Sequence, residues 1–196
     1  MPDPASLADS ENWSGGFYEL AIELGAPDGE RLQQALSSLW RVAAIEGCYA
    51  GRDSEAQVPC TVASLAAFGH LQGTVVLTTG HRVVCGCVAL SDDDAHWLDF
   101  YIPLGALART DGRIAGFPFD SESGEESLVW RRSLDDWLAN IGTRIFRHVP
   151  FRLGLIGFEI DGSVSSDVLN GMVPEQRWES YLLPVGADLR FEPANR

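Results

Sequence analysis

Lysine is missing from this chain: all fourteen basic residues among its 196 are arginine. That excludes Schiff-base chemistry, a pyridoxal-phosphate anchor, a phosphate-loop lysine and the lysine of a protein kinase. Basic residues of any kind are missing from the first 30 positions. The start therefore has neither the charged head nor the apolar core of a secretory leader. No apolar run approaches the roughly 20 residues that a membrane-spanning helix needs. The motifs Gly-x-Ser-x-Gly, His-Glu-x-x-His and Gly-x-Gly-x-x-Gly are missing too, as is the phosphate-binding loop. With them go the usual sequence routes to a hydrolase elbow, a zincin, a dinucleotide enzyme and a nucleotidase.

What is present is globular in composition. The chain is 45% hydrophobic and 21% charged, which excludes disordered and collagen-like classes. A chain this long can bury roughly 70% of its unfolded surface, so it needs neither disulfides nor metal to hold a core. Cys48, Cys60, Cys85 and Cys87 occur without a secretory leader. They are expected as free thiols in a cytoplasmic protein.

Charge is one-sided and uneven. Twenty-eight acids against fourteen bases leave a formal net charge of −14. Residues 1–30 hold seven acids and no base, and residues 91–130 hold nine acids and two bases, so these two segments account for the whole imbalance. Residues 131–152 reverse the sign, with Arg131, Arg132, Arg144, Arg147 and Arg152 against Asp135 and Asp136. Acidic faces with one basic stripe are expected, able to pair internally, across a homodimer or with a partner. Such a charge repels nucleic-acid phosphates and anionic membrane surfaces and attracts basic proteins.

Residues 1–15, rich in Pro, Asp, Ser and Gly, are expected as a flexible N-terminal arm, and 16–196 as a single α+β domain. Tyr18, Leu20, Ile22 and Leu24 alternate with Glu19 and Glu23, which predicts a strand with one wet face. After the turn at Pro27-Asp28-Gly29, Leu32, Ala35, Leu36, Leu39, Trp40 and Ala43 follow helical spacing, with Asp28 as the cap. Val58–Ala63 is expected as a strand and Ser64–Phe68 as a short helical turn. Three segments, 73–78, 81–90 and 96–102, read as an antiparallel meander. Pro103–Leu107 opens a short helix. Residues 110–128 form the longest expected loop. Ser133-Leu134-Asp135-Asp136 has the form of a capping box, followed by Trp137, Leu138, Ile141 and Ile145 at helical spacing. Phe151–Ile160 is a buried strand that echoes 17–25. A short helical stretch near 166–172 and edge strands at 180–183 and 188–191 complete the pattern. The sum is α+β: a mainly antiparallel sheet with two principal amphipathic helices packed on it, and a ferredoxin-like element is one topology that the order of elements allows.

Few side chains form chemical constellations. His81, Cys85 and Cys87 alternate along one strand. A Cys-x-Cys strand pair splays its ligands, so buried inert thiols account for them better than zinc. Asp92, Asp94 and His96, with Asp93 and Asp99, gather oxygen and imidazole ligands near one turn and form the candidate metal set, though an acidic hairpin turn accounts for them as well. Glu19, Glu23 and Glu159 would meet if their strands pair, and paired carboxylates do acid–base work. Trp97, Asp99, Tyr101 and Trp130 are the candidate binding residues, aromatic or acidic and flanked by charge or loop.

The expected function is a non-catalytic acidic protein-interaction domain of inhibitor or immunity type, with a basic protein partner or a homodimer. Alternatives are a small metal-dependent hydrolase using the Asp92–Asp99 region, and a small-molecule sensor with an aromatic pocket between helix and sheet. No catalytic residue is assigned, and no cofactor, nucleic acid or membrane is expected.

Overall fold

Strand β1 (Phe17–Gly25) runs through the middle of the molecule, and the rest of the fold is arranged about it. The structure, a computed structural model, describes residues 3–54, 56–91, 95–114, 124–160 and 164–196. From β1 the chain crosses through helix α1 (Gly29–Val42) to the far edge of the sheet. It returns as a meander of β2 (Glu46–Tyr49), β3 (Leu71–Val76), β4 (Arg82–Ser91) and β5 (His96–Pro103), with helix α2 (Val62–Phe68) between β2 and β3. Strand β5 lies beside β1. Helix α3 (Leu104–Ala108) and helix α4 (Gly124–Phe146) then lead to β6 (Leu153–Phe158), on the other flank of β1. Helix α5 (Ser166–Leu169), β7 (Ser180–Val185) and β8 (Asp188–Glu192) finish the chain. The protein is α+β, one eight-stranded sheet in the order β2-β3-β4-β5-β1-β6-β7-β8, antiparallel at every pairing. This order is not that of a ferredoxin-like element. The two Phe-led strands that echo each other, β1 and β6, lie side by side.

Alternation on the strands separates two layers. On one face Tyr18, Leu20, Ile22 and Leu24 of β1 join Leu98, Phe100 and Ile102 of β5, all at most 2% exposed. Leu32, Ala35, Leu36 and Leu39 of α1 cover them, with Leu134, Leu138, Ile141 and Ile145 of α4. The two helices are therefore neighbours on one side of the sheet, as their apolar stripes require. Asp28 caps α1 as expected, accepting from the backbone N–H of Glu30 and Arg31 at 2.9 and 3.1 Å.

Two expectations need correcting. No strand forms over 58–63; α2 begins at Val62, capped by the Thr61 hydroxyl. Helix α4 begins at Gly124 rather than Ser133. The Ser133 hydroxyl donates back to the Trp130 carbonyl within the helix, at 3.2 Å, and caps nothing. Asp135 points inward instead. Its carboxylate accepts from the Tyr18 hydroxyl on β1 and from the Ser180 hydroxyl on β7, at 2.5 and 2.7 Å, and so ties α4 to two strands. One turn earlier, buried Arg131 donates from Nε to the Ser127 hydroxyl and from its two terminal nitrogens to the carbonyls of Trp178 and Arg196. Burial lifts the Asp135 carboxyl to about 6, against the pull of the Tyr18 and Ser180 hydrogen bonds and the Arg131 charge. Residues 115–123, in the segment expected as the longest loop, lie outside the described residues.

Within the stretch expected as an arm, residues 3–14 turn back over β4 and α3. The Asn12 side chain, fully buried, donates to the carbonyls of Asp3 and Ser6. Val84 N–H donates to the Pro4 carbonyl, and Arg109 pairs with Asp9 at 2.6 Å. Gly105 admits this approach, since a Cβ there would stand 2.2 Å from the Glu11 carbonyl oxygen. Tyr18→Phe removes one of the two hydroxyl donors that Asp135 needs. We expect a loss of about 1–3 kcal/mol in urea unfolding at neutral pH, and an unchanged midpoint would refute the linking role.

Candidate functional site

The opposite face of the sheet carries the chemically unusual side chains. Glu19, Ala21 and Glu23 of β1 stand opposite Tyr101, Asp99 and Trp97 of β5, and opposite Gly157, Leu155 and Leu153 of β6. The pairing of β1 with β6, on which a meeting of Glu19, Glu23 and Glu159 depended, is present. A catalytic carboxylate pair does not result. Glu19 and Glu23 are four residues apart on one strand, roughly 13 Å, beyond the roughly 5–9.5 Å that glycoside cleavage uses. Each also has a structural task. Glu19 accepts from the Ile160 N–H at 2.7 Å. Glu23, 1% exposed, accepts from both the N–H and the hydroxyl of Ser166, each at 2.7 Å, with Arg152 at 4.0 Å. These carboxylates pin the segment around α5 across the sheet. Beneath it lies a second apolar core of Ala21, Trp97, Leu153, Leu155, Ile160, Leu169, Tyr181 and Leu183. Glu159 lies beyond the end of β6 with a positive φ, exposed.

Three of the four candidate binding residues are brought together and the fourth is not. Trp97, Asp99 and Tyr101 line the second face in a row, each at most 7% exposed. Tyr101 lies over β4, where Gly86 leaves room for it; a Cβ at Gly86 would meet the ring at 2.3 Å. Its ring also packs on Phe17, centroids 4.7 Å apart. Asp99 is flanked across the sheet by Ala21 and Val88, and its Oδ1 has no hydrogen-bond partner among the described residues. With nothing to offset its burial, its carboxyl is pushed up to about 7. Trp130 is on the other side of the sheet, in α4, edge-on to the Tyr18 ring at 5.6 Å. With Trp137 it borders a hollow between α4, α3 and the β3–β4 turn, of about 50 Å³. That is far below the roughly 300–1,000 Å³ of a small-molecule site.

Of the candidate metal set, Asp92 and Asp94 lie outside the described residues. His96, half-buried, accepts at Nδ1 from the Asp28 N–H at 3.3 Å and so steadies the turn into α1. Among the described residues no group of three or more His, Cys, Asp and Glu could hold a metal ion. Cys85 and Cys87 are fully buried on the helix side of β4, while His81 is exposed just before it. All four cysteines are free, and burial raises every thiol, Cys60 to about 12. Raised thiols are poor nucleophiles at neutral pH. No helix among the described residues is long and apolar enough to cross a membrane.

Sequence reading missed one feature of this face: the anchoring of the α5 segment by Glu23. Glu23 was expected on a wet face of β1 but is buried, and nothing local to it points to Ser166, 143 positions away. Compared with protein-family models, curated proteins and solved structures, the chain matches none.

The state of Asp99 has a measurable consequence. Its folded value is above the unfolded value, so the folded state favours the protonated form. Its contribution is complete below about pH 4 and is lost as pH rises toward 7. Asp99→Asn removes the penalty while keeping the shape. We expect the variant to gain on the order of 1–4 kcal/mol over wild type at pH 8 and little at pH 4. Urea unfolding at both values reads this, and an equal difference at the two would refute it.

Proposed function

We propose that the protein is a non-catalytic interaction domain of inhibitor or immunity type, which covers a site on a basic partner protein with the segment around α5. The observation that carries this is the exposure of Val168 and Met172. Each is 73% exposed, more than any other large apolar side chain described, and both belong to the same short segment. Acidic Asp167 and Glu175 beside them are also exposed. An apolar anchor with a charged rim is the composition of a protein interface.

The segment is also held in place. Leu169 is buried in the second core, and Ser166 is fixed on Glu23 by two hydrogen bonds. Arg190 of β8 reaches the Gly171 carbonyl. A surface held before binding loses less entropy on binding. The formal charge of −14 steers basic partners toward the protein and repels polyanions.

The test is capture of partners from the source organism's own extract by wild type and by a Val168→Asp, Met172→Asp variant. A basic protein held by wild type, released at high salt and lost with the variant is the expected result. Retention that is indifferent to salt, or equal for both proteins, overturns the reading. Sedimentation of the purified chain supplies the other arm: a dimer that the variant turns into monomer makes the segment a self-association surface, and the heterotypic reading fails.

A further inference from the structure

The basic stripe at 131–152 does not stay together in the fold. Arg131 is consumed in the core, while Arg144, Arg147 and His148 emerge where the end of α4 meets the end of α1. Arg144 donates to the Val42 carbonyl at 2.7 Å and so locks the two helix ends together. Beside this junction is a cleft of about 480 Å³. Gln34, Ser37, Ser38 and Arg41 of α1 line it, facing His148 and Val149.

Arg31, Gln34, Ser38 and Arg41 recur at helical spacing, so they share one face of α1. The backbone positions of Arg31 and Arg41 are about 15 Å apart along the helix, with Gln34 and Ser38 between them. Arg31 donates one terminal nitrogen to the Pro150 carbonyl, and its Nε is buried without a partner among the described residues. Among the same residues, Arg41, Arg144 and Arg147 form no ion pair.

Cations near helix C-termini have an ordinary role, offsetting the helix dipole. Magnitudes show that role to be exceeded here. Two helix ends carry about one negative charge between them, whereas Arg41, Arg144 and Arg147 carry three positive ones. These three cations outnumber the charge of the two helix ends, and of them Arg41 lines the cleft.

From this geometry we infer that the α1–α4 cleft binds a small hydrophilic polyanion, phosphorylated or polycarboxylated. The volume lies in the range of small-molecule sites. Every lining side chain except Val149 carries a polar group, so the cleft offers amide, hydroxyl, guanidinium and imidazole groups. Among the described residues no Phe, Tyr or Trp lines it. Guanidinium is the group that forks onto phosphate and carboxylate oxygens. This site is separate from the α5 segment, on the helix side of the sheet, and stands or falls independently of the partner proposed there.

The experiment is calorimetric titration of the full chain at low salt with pyrophosphate and, separately, citrate. Saturable binding is expected, weakened about tenfold in Arg41→Ala and in His148→Ala. Both side chains are at the surface, and circular dichroism checks that the variants fold. Arg82→Ala, which removes a surface guanidinium outside the cleft lining, should bind as wild type. Binding of pyrophosphate alone assigns a phosphorylated ligand, of citrate alone a polycarboxylate, and of both the shared anion chemistry. No saturable heat with either, undiminished affinity in Arg41→Ala, or equal loss in Arg82→Ala overturns the inference.

Discussion

One buried carboxylate ties the fold together. Asp135 projects from the long helix into the core and accepts hydroxyl hydrogens from the central strand β1 and from β7. Burying a carboxylate in a nearly dry interior costs several kcal/mol unless its oxygens are satisfied. The cost is met only when α4, β1 and β7 are in register, so the interaction favours one arrangement of these elements over near alternatives. The Ser180 hydroxyl, while donating to Asp135, accepts from the Ala194 N–H at 2.8 Å and so brings in the end of the chain. Arg131 adds the carbonyls of Trp178 and Arg196. These polar bonds set orientation, while the apolar layer of α1, α4 and the sheet supplies most of the stabilisation.

The two faces of the sheet use polar groups differently. On the helix side Asp135 and Arg131 join elements within the core. On the other side Glu19 and Glu23 hold a loop and a single turn of helix over a smaller core. A segment anchored in this way can present Val168 and Met172 to solvent without itself being loose. Asp99 is the exception among the buried acids, since its Oδ1 has no partner among the described residues. It weakens the fold as pH rises, whereas both Glu23 oxygens are hydrogen-bonded by Ser166.

Charge organisation follows from the same packing. The excess of acid was visible in the sequence, as was a run of arginines. The division of that run between core and surface was not. A helix repeats every 3.6 residues, so Arg131 and Asp135 fall on the inner side and Arg132 and Arg144 on the outer, with Arg147 exposed just past its end. Capping boxes are local signals, and Ser133-Leu134-Asp135-Asp136 misled because α4 already begins at Gly124, so Ser133 lies inside the helix and donates back to the Trp130 carbonyl.

By itself the sequence determined what depends on neighbours along the chain. Period-two alternation over 17–25 gave a strand and one of its two buried faces, helical spacing over 32–43 gave a helix and its buried side, and Asp28 gave the start of α1. Composition determined that the chain is globular, and the missing lysine removed several chemistries outright. Only the tertiary structure decided which strands pair, that Trp130 is parted from Trp97, Asp99 and Tyr101 by the whole sheet, and that Glu23 and Ser166 meet. The reason is physical. Periodicity and capping are set by sterics and hydrogen bonds within a few residues, whereas strand order, carboxylate partners and the α1–α4 cleft depend on contacts between residues tens to more than a hundred positions apart, which no local pattern encodes.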